Sequence, residues 1–229
     1  MTLTHATWNC AKVMLALTLP FQAVIPNQQR DTHHFCNRQA IEILKQDGFH
    51  KEAKLAHSYL YAMDRGSVWC DRGFKNISHY YDSREGTGLW RGPDASTECL
   101  QYFNRALKKW QRGYYKEAFF YLGAACHIVQ DLCVPHHARG QVLGGHKFFE
   151  DRARDQYENY SLYSGGIYHL SDRPEDWVRK NASFSSDFLS QVTDNRPLSV
   201  IDETIQILLK RAQRTTAGFL QFSIHHMKI

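Results

Sequence analysis

One run of the chain limits the fold more than any other. Ala118, Phe119, Phe120, Leu122, Ala124, Ala125, Ile128 and Val129 describe a helix that is apolar nearly all round, and such a helix belongs inside a bundle. Yet His127 and Asp131 also lie in it, four residues apart and therefore on one face. Burying an imidazole and a carboxylate is costly unless each finds a partner, so this helix must carry a polar site into the core. His137 follows just beyond Pro135, and His146 and Glu150 repeat the i,i+4 pairing on the next helical segment. His127, Asp131, His137, His146 and Glu150 thus place three histidines and two carboxylates of this spacing within 24 residues, all nitrogen and oxygen donors of the kind zinc accepts. Upstream, His33, His79 and Asp64, the last following the apolar run Tyr59 to Met63, are candidates to close the sites.

Elsewhere the pattern is also helical. Thr32 is placed to cap a segment through Ile43 and Leu44, with Gly48 stopping it. Leu100, Phe103, Leu107 and Trp110 recur at helical spacing over 98–111, and Gly113 separates them from the apolar helix over 115–132. Further helices are expected over 147–157, 174–192 and 198–222, the last with a stripe of Ile201, Ile205, Leu208, Leu209 and Ala212. Residues 64–97, rich in Gly, Asp and Ser, read as a long ordered loop. Strand-type alternation never persists beyond four residues, so the fold class is all-α: a single compact multi-helix domain over residues 24–229.

Residues 1–23 read as a signal peptide or an N-terminal apolar segment. The stretch from Val13 to Ile25 follows Lys12 but is too short, and interrupted by Pro20, to span a bilayer. A secreted or cell-surface protein is the expectation from this, a cytoplasmic one the alternative. Histidine is the unusual residue in the composition: 13 of 229, against 14 glycines. It is the side chain most used for metal ligation and for proton transfer near neutrality. The net charge of +5 comes without any Lys/Arg run, which argues against a nucleic-acid tail. The six cysteines, Cys10, Cys36, Cys70, Cys99, Cys126 and Cys133, show no CxxC spacing and read as buried small apolar residues.

The stretch Glu117 to Gly123, followed by His127, Asp131, Pro135 and His137, resembles the zinc-dependent phospholipase C family, whose other branch contains single-strand-specific nucleases. The resemblance extends through Thr32-His33, Ala62-Met63-Asp64, Ser78-His79-Tyr80-Tyr81-Asp82, His146 to Glu150, Pro174 to Trp177 and Gln213 to Gly218. It implies an all-α fold with three zinc ions in one cleft. Asp64, His79, His127 and Asp131 would hold one ion, and His137, His146 and Glu150 a second. A third would share Asp131 and add His33 with the amine and carbonyl of a processed N-terminal residue near Ala23 or Val24. Asp64 would also orient and deprotonate the attacking water.

The sequence departs from the family at two places. The tryptophan that usually supplies the N-terminal ligand is missing, the nearest upstream being Trp8. At the positions of the aromatic head-group pocket stand Arg65 and Asn76, and a cation opposes cation–π recognition of choline. The implied activity is hydrolysis of a phospholipid phosphodiester at a membrane or micelle surface, by a monomer with no nucleic acid and no protein partner. A single-strand nuclease and a non-catalytic lipid-surface module are the alternatives. Glu150 as last ligand and the short His137-to-His146 connection favour the lipase branch. With only about ten residues after Gly218, no C-terminal membrane-docking extension is expected.

Overall fold

The apolar helix forms over Tyr115–Asp131, and every residue from Leu122 to Asp131 is buried. Around it are arranged the other helices of a computed structural model that describes residues 32–228. In chain order they are α1 Thr32–Gln46, α2 His50–Ser58, α3 Leu60–Cys70, α4 Ala95–Gln111, α5 Tyr115–Asp131, α6 His146–Gln156, α7 Pro174–Ser185 and α8 Leu198–His226. Among the described residues the only strand-like pairing is an isolated antiparallel bridge between Asp82 and Thr87. The N-terminal segment 1–23, with the positions of a processed N-terminus, lies outside the described residues. No helix among those described is long and apolar enough to cross a membrane.

The central position of α5 follows from its composition. Phe119, Leu122, Ala125, Cys126, Ile128 and Val129 are fully buried and share one core with Ile43, Leu44, Met63, Phe103, Trp177, Phe219 and Leu220. Close approach of α3 to α5 rests on two glycines. A Cβ on Gly66 would stand 1.8 Å from the Phe120 carbonyl oxygen, and one on Gly123 would stand 2.1 Å from the Met63 oxygen. Only bare backbone fits there, so the crossing brings the end of α3 against the polar end of α5. A second, smaller core joins Phe149, Ala153 and Tyr157 to the Ile201, Ile205, Leu208, Leu209 and Ala212 stripe of α8, with Phe35 and Cys133. It seats α6.

The region over 64–97 differs from the expected loop. Residues 64–70 continue α3, and short 3-10 segments follow over Gly73–Ser78 and Leu89–Arg91. The buried face of α3 is Met63, Gly66, Ser67 and Cys70, a helical stripe hidden from hydropathy because half of it is Gly and Ser. α2 has no clear sequence signal either, since only Ala53 and Ala56 are buried from it. The segment over 174–192 divides at Ser185, where the chain tightens to a 3-10 turn and the Ser185 hydroxyl donates to the Leu132 carbonyl at 2.6 Å. The start of α4 is set by Asp94, whose carboxylate accepts from the Ser96 and Thr97 amides.

Candidate metal centre

At the C-terminal end of α5 four further side chains converge on Asp131. Its Oδ2 lies 2.9 Å from His79 Nδ1 and 3.0 Å from His127 Nε2, and its Oδ1 lies 3.5 Å from His33 Nε2. His33 comes from the first turn of α1, and His79 from the end of the 3-10 turn after α3. The fourth is Asp71, one residue past α3, whose Oδ1 is 3.9 Å from both His79 Nδ1 and His127 Nε2. Short as these separations are, they are not hydrogen bonds. Both ring nitrogens of His79, both of His127 and Asp131 Oδ2 are buried with no hydrogen-bond partner.

Two imidazoles left unpaired in a dry core would cost several kcal/mol if nothing else satisfied them. Nitrogen and oxygen donors gathered this closely without hydrogen-bond geometry between them are what a cation site presents. The donor set of imidazole and carboxylate is one that zinc takes, so the residues fit the metal. Burial opposes charge on both partners. Even so, Asp131 holds His127 well above the ordinary imidazole pKa, while His127 and His137 hold Asp131 well below the carboxylate range. Asp131 therefore stays ionised beside a His127 ring that holds its proton, and a metal would take that proton's place.

A second group lies nearer the surface. Glu150 Oε1 is 2.9 Å from His146 Nε2, one turn before it on α6, and 3.3 Å from His137 Nε2. Their candidate donor atoms all lie within 4.8 Å of one another. Glu150 is exposed, unlike Asp131. Although water reaches its edge, the protein packed round the Glu150 carboxyl raises its pKa; its two histidines outweigh this and hold it below the ordinary value, and against burial Asp131 with Glu150 pushes His137 up to about 9.

Supporting hydrogen bonds fix which nitrogen His33 and His137 offer. Gln130 Oε1 lies 2.8 Å from His33 Nδ1, so His33 donates there and keeps Nε2 for Asp131 and the shared point. Gln130 is itself held by donation from Nε2 to Asn37 Oδ1 and Thr216 Oγ1, which explains a buried Thr216 in the Gln213-to-Gly218 stretch. His137 donates from Nδ1 to the His79 carbonyl at 2.9 Å, tying the two groups together. His136 is buried, bonds the Gly144 carbonyl and stacks at 4.9 Å on His146. Burial pushes its pKa down to about 4, so it remains neutral packing.

Of the expected metal ligands the geometry thus brings together His33, His79, His127 and Asp131, and separately His137, His146 and Glu150. Asp64 stands elsewhere on α3: its Oδ1 accepts from Asn37 Nδ2 at 3.0 Å, and its carbonyl accepts from His34 Nε2. The carboxylate at the His79–His127 pair is Asp71. Its only sequence signal is a place eight residues before His79, just past a helix that hydropathy hides. Arg65 is exposed on α3, and Asn76 is half-buried in the turn leading to His79. Asn37, Gln130 and His136 carry no sequence signal of their own.

Comparison with known proteins identifies the family and the fold. A family described as zinc dependent phospholipase C matches residues 32–213. Phospholipase C of Listeria monocytogenes is 26% identical over 86% of this chain and 78% of its own length. Phospholipase C of Clostridium perfringens is 24% identical over 85% of this chain, and one from Bacillus cereus is 28% identical over 71%. The alpha toxin from Clostridium absonum superposes with a TM-score of 0.75 at 21% identity, which establishes the fold. This chain spans 58% of the Clostridium perfringens relative's length and 63% of that toxin's.

Proposed function

We propose, since the chain belongs to the zinc-dependent phospholipase C family, that it hydrolyses a phospholipid on the glycerol side of its phosphate, releasing diacylglycerol and a phosphorylated head group. The observation that carries this reading is the pair of donor groups around Asp131 and Glu150, the first with buried His79 and His127 nitrogens that lack hydrogen-bond partners. Bound zinc would supply Lewis acidity, bringing the pKa of water toward neutrality and offsetting charge on the phosphoryl oxygens.

The chain's own residues do the rest. Asp131 gathers His33, His79 and His127, and Gln130 and the His79 carbonyl hold the His33 and His137 rings in one tautomer. Asp71 takes the role that the sequence resemblance gives to Asp64. It is both a fourth ligand and, being exposed, the base that orients the attacking water and accepts its proton. No Ser or Cys nucleophile is required. A third ion, between His33 and Asp131, would draw its remaining ligands from a processed N-terminus near Ala23 or Val24. Secretion belongs to the same reading.

Two features support a lipid substrate over a nucleic acid. Leu143 is 82% and Phe148 49% exposed, three residues before and two after His146 in the chain, so large apolar side chains stand on the surface around the start of α6. At the head group, Asn76 precedes His79 by three residues, and the residue directly after the proposed ligand becomes Arg72 in place of Arg65. Either arginine disfavours choline, so anionic or small neutral head groups are the proposed substrates. The test compares phospholipid vesicles, a water-soluble short-chain phospholipid and single-stranded DNA, each with and without chelator. Chelator-sensitive release of diacylglycerol is the expected result; cleavage of DNA alone would replace this reading with the nuclease. Leu143→Asp should lower vesicle turnover about tenfold, in line with loss of one buried apolar side chain, and spare the soluble substrate.

A further inference from the structure

The inner donor group contains one residue that the proposed ligand set leaves out. Cys70, the last residue of α3, is fully buried, and its sulfur and one ring nitrogen each from His79 and His127 all lie within 4.8 Å of one another. Those two histidines are 0% and 2% exposed, and none of their four nitrogens has a hydrogen-bond partner. The thiol donates to backbone, to the Ser67 carbonyl oxygen at 3.1 Å and, weakly, to the Ala124 oxygen at 3.9 Å, and its sulfur also interacts with the His127 ring. Its proton is thereby accommodated by a carbonyl one turn back, which leaves sulfur lone pairs for the space that the histidines share. The other cysteines among the described residues join no such group.

Placement follows from the same helix crossing that delivers Asp71. Gly66 and Gly123 let α3 lie directly on α5, and the final turn of α3 then puts two successive donors, one soft and one hard, at the His127 end of α5. We propose that Cys70 is a thiolate ligand of the metal held by His79 and His127, so that the inner site is a mixed sulfur–nitrogen–oxygen centre. On binding, the sulfur–metal bond replaces the S–H bond, and the thiol proton leaves to solvent. A thiolate donor turns the site toward softer ions: cadmium should compete with zinc better here than at the His137, His146 and Glu150 group, which has no sulfur. This inference rests on the metal reading above and extends it to a residue type that nothing in that reading calls for.

The test is spectroscopic and uses the full chain. The protein is stripped with chelator, reloaded with cobalt(II), and its metal content counted alongside its near-ultraviolet spectrum. A thiolate-to-cobalt charge-transfer band is expected in the parent, lost in Cys70→Ser and Cys70→Ala, and retained in Asp71→Asn. Cobalt bound without that band, or a band that survives Cys70→Ala, would overturn the proposal while leaving the metal reading intact. Failure to bind cobalt at all would overturn both. The parent spectrum decides even if a variant does not fold. Cadmium-113 resonance of the parent decides it by a second route, because a sulfur-ligated ion resonates far from an oxygen- and nitrogen-ligated one.

Discussion

The two donor groups solve the same problem in different settings. The inner one is built on a buried helix end, with Asp131 in the core and its partner His33 held by Gln130, which Asn37 and Thr216 fix in turn between α1, α5 and α8. The outer one is built on the first turn of α6 and a glycine-bounded connection, with an exposed carboxylate. Desolvation makes the inner group strongly dependent on its partners, because a buried charge left unpaired is far more costly than one that water can reach. The inner group should therefore fail as a unit, and the outer one residue by residue.

The sharpest way to break that contrast is Asp131→Asn. Losing the carboxylate that faces three histidines should remove more than one equivalent of zinc and lower turnover at least about a thousandfold, as several kcal/mol of charge stabilisation disappear. Metal analysis of the purified variant checks it; loss of a single ion would separate the histidines into independent sites. Next in size is the pair Asp71→Asn and Asp64→Asn. The first should lose about one equivalent and about a hundredfold in rate, and the second should keep its metal and remain within about tenfold, being outside the donor group. Equal losses from both would return Asp64 to the ligand set.

Glu150→Gln sharpens the comparison from the outer side. It should empty that site and leave the inner ions in place. The same residue gives a pH signature in chelator. Glu150 is held below its ordinary 4.5, so its stabilising effect is full above that pH and is lost as pH falls. His137 is raised from 6.5 to about 9, so its contribution is full below 6.5 and is lost as pH rises toward 9. Metal-free protein should melt highest between about pH 4.5 and 6.5, and Glu150→Gln should flatten that maximum. The smallest expected effect is structural. Gly123→Ala would gain helix propensity yet press a methyl group into the Met63 carbonyl, for a net loss of about 1–3 kcal/mol in thermal or denaturant unfolding. A neutral result would mean that α3 can slide on α5 without cost.

Local order is legible in the sequence. The apolar character of 118–129, the i,i+4 pairs His127–Asp131 and His146–Glu150, and the Ile201-to-Ala212 stripe each declare a helix and a face, because helical periodicity is a property of the chain alone. An all-α domain with two donor groups follows from them. Which carboxylate completes the inner group does not follow. Asp64 and Asp71 lie on and just past one helix seven residues apart, and nothing in their own neighbourhoods separates them. The choice is made by the height at which α3 crosses α5, set by Gly66 against Phe120 and Gly123 against Met63, contacts more than fifty residues apart in the chain. Cys70 is hidden for the same reason: burial alone makes a cysteine look like core, and only the crossing sets its sulfur beside two imidazoles. Residue order is enough to name most of the donors and the helices that carry them. Membership of each site is a matter of packing, since a ligand set depends on distances between side chains that lie far apart along the chain.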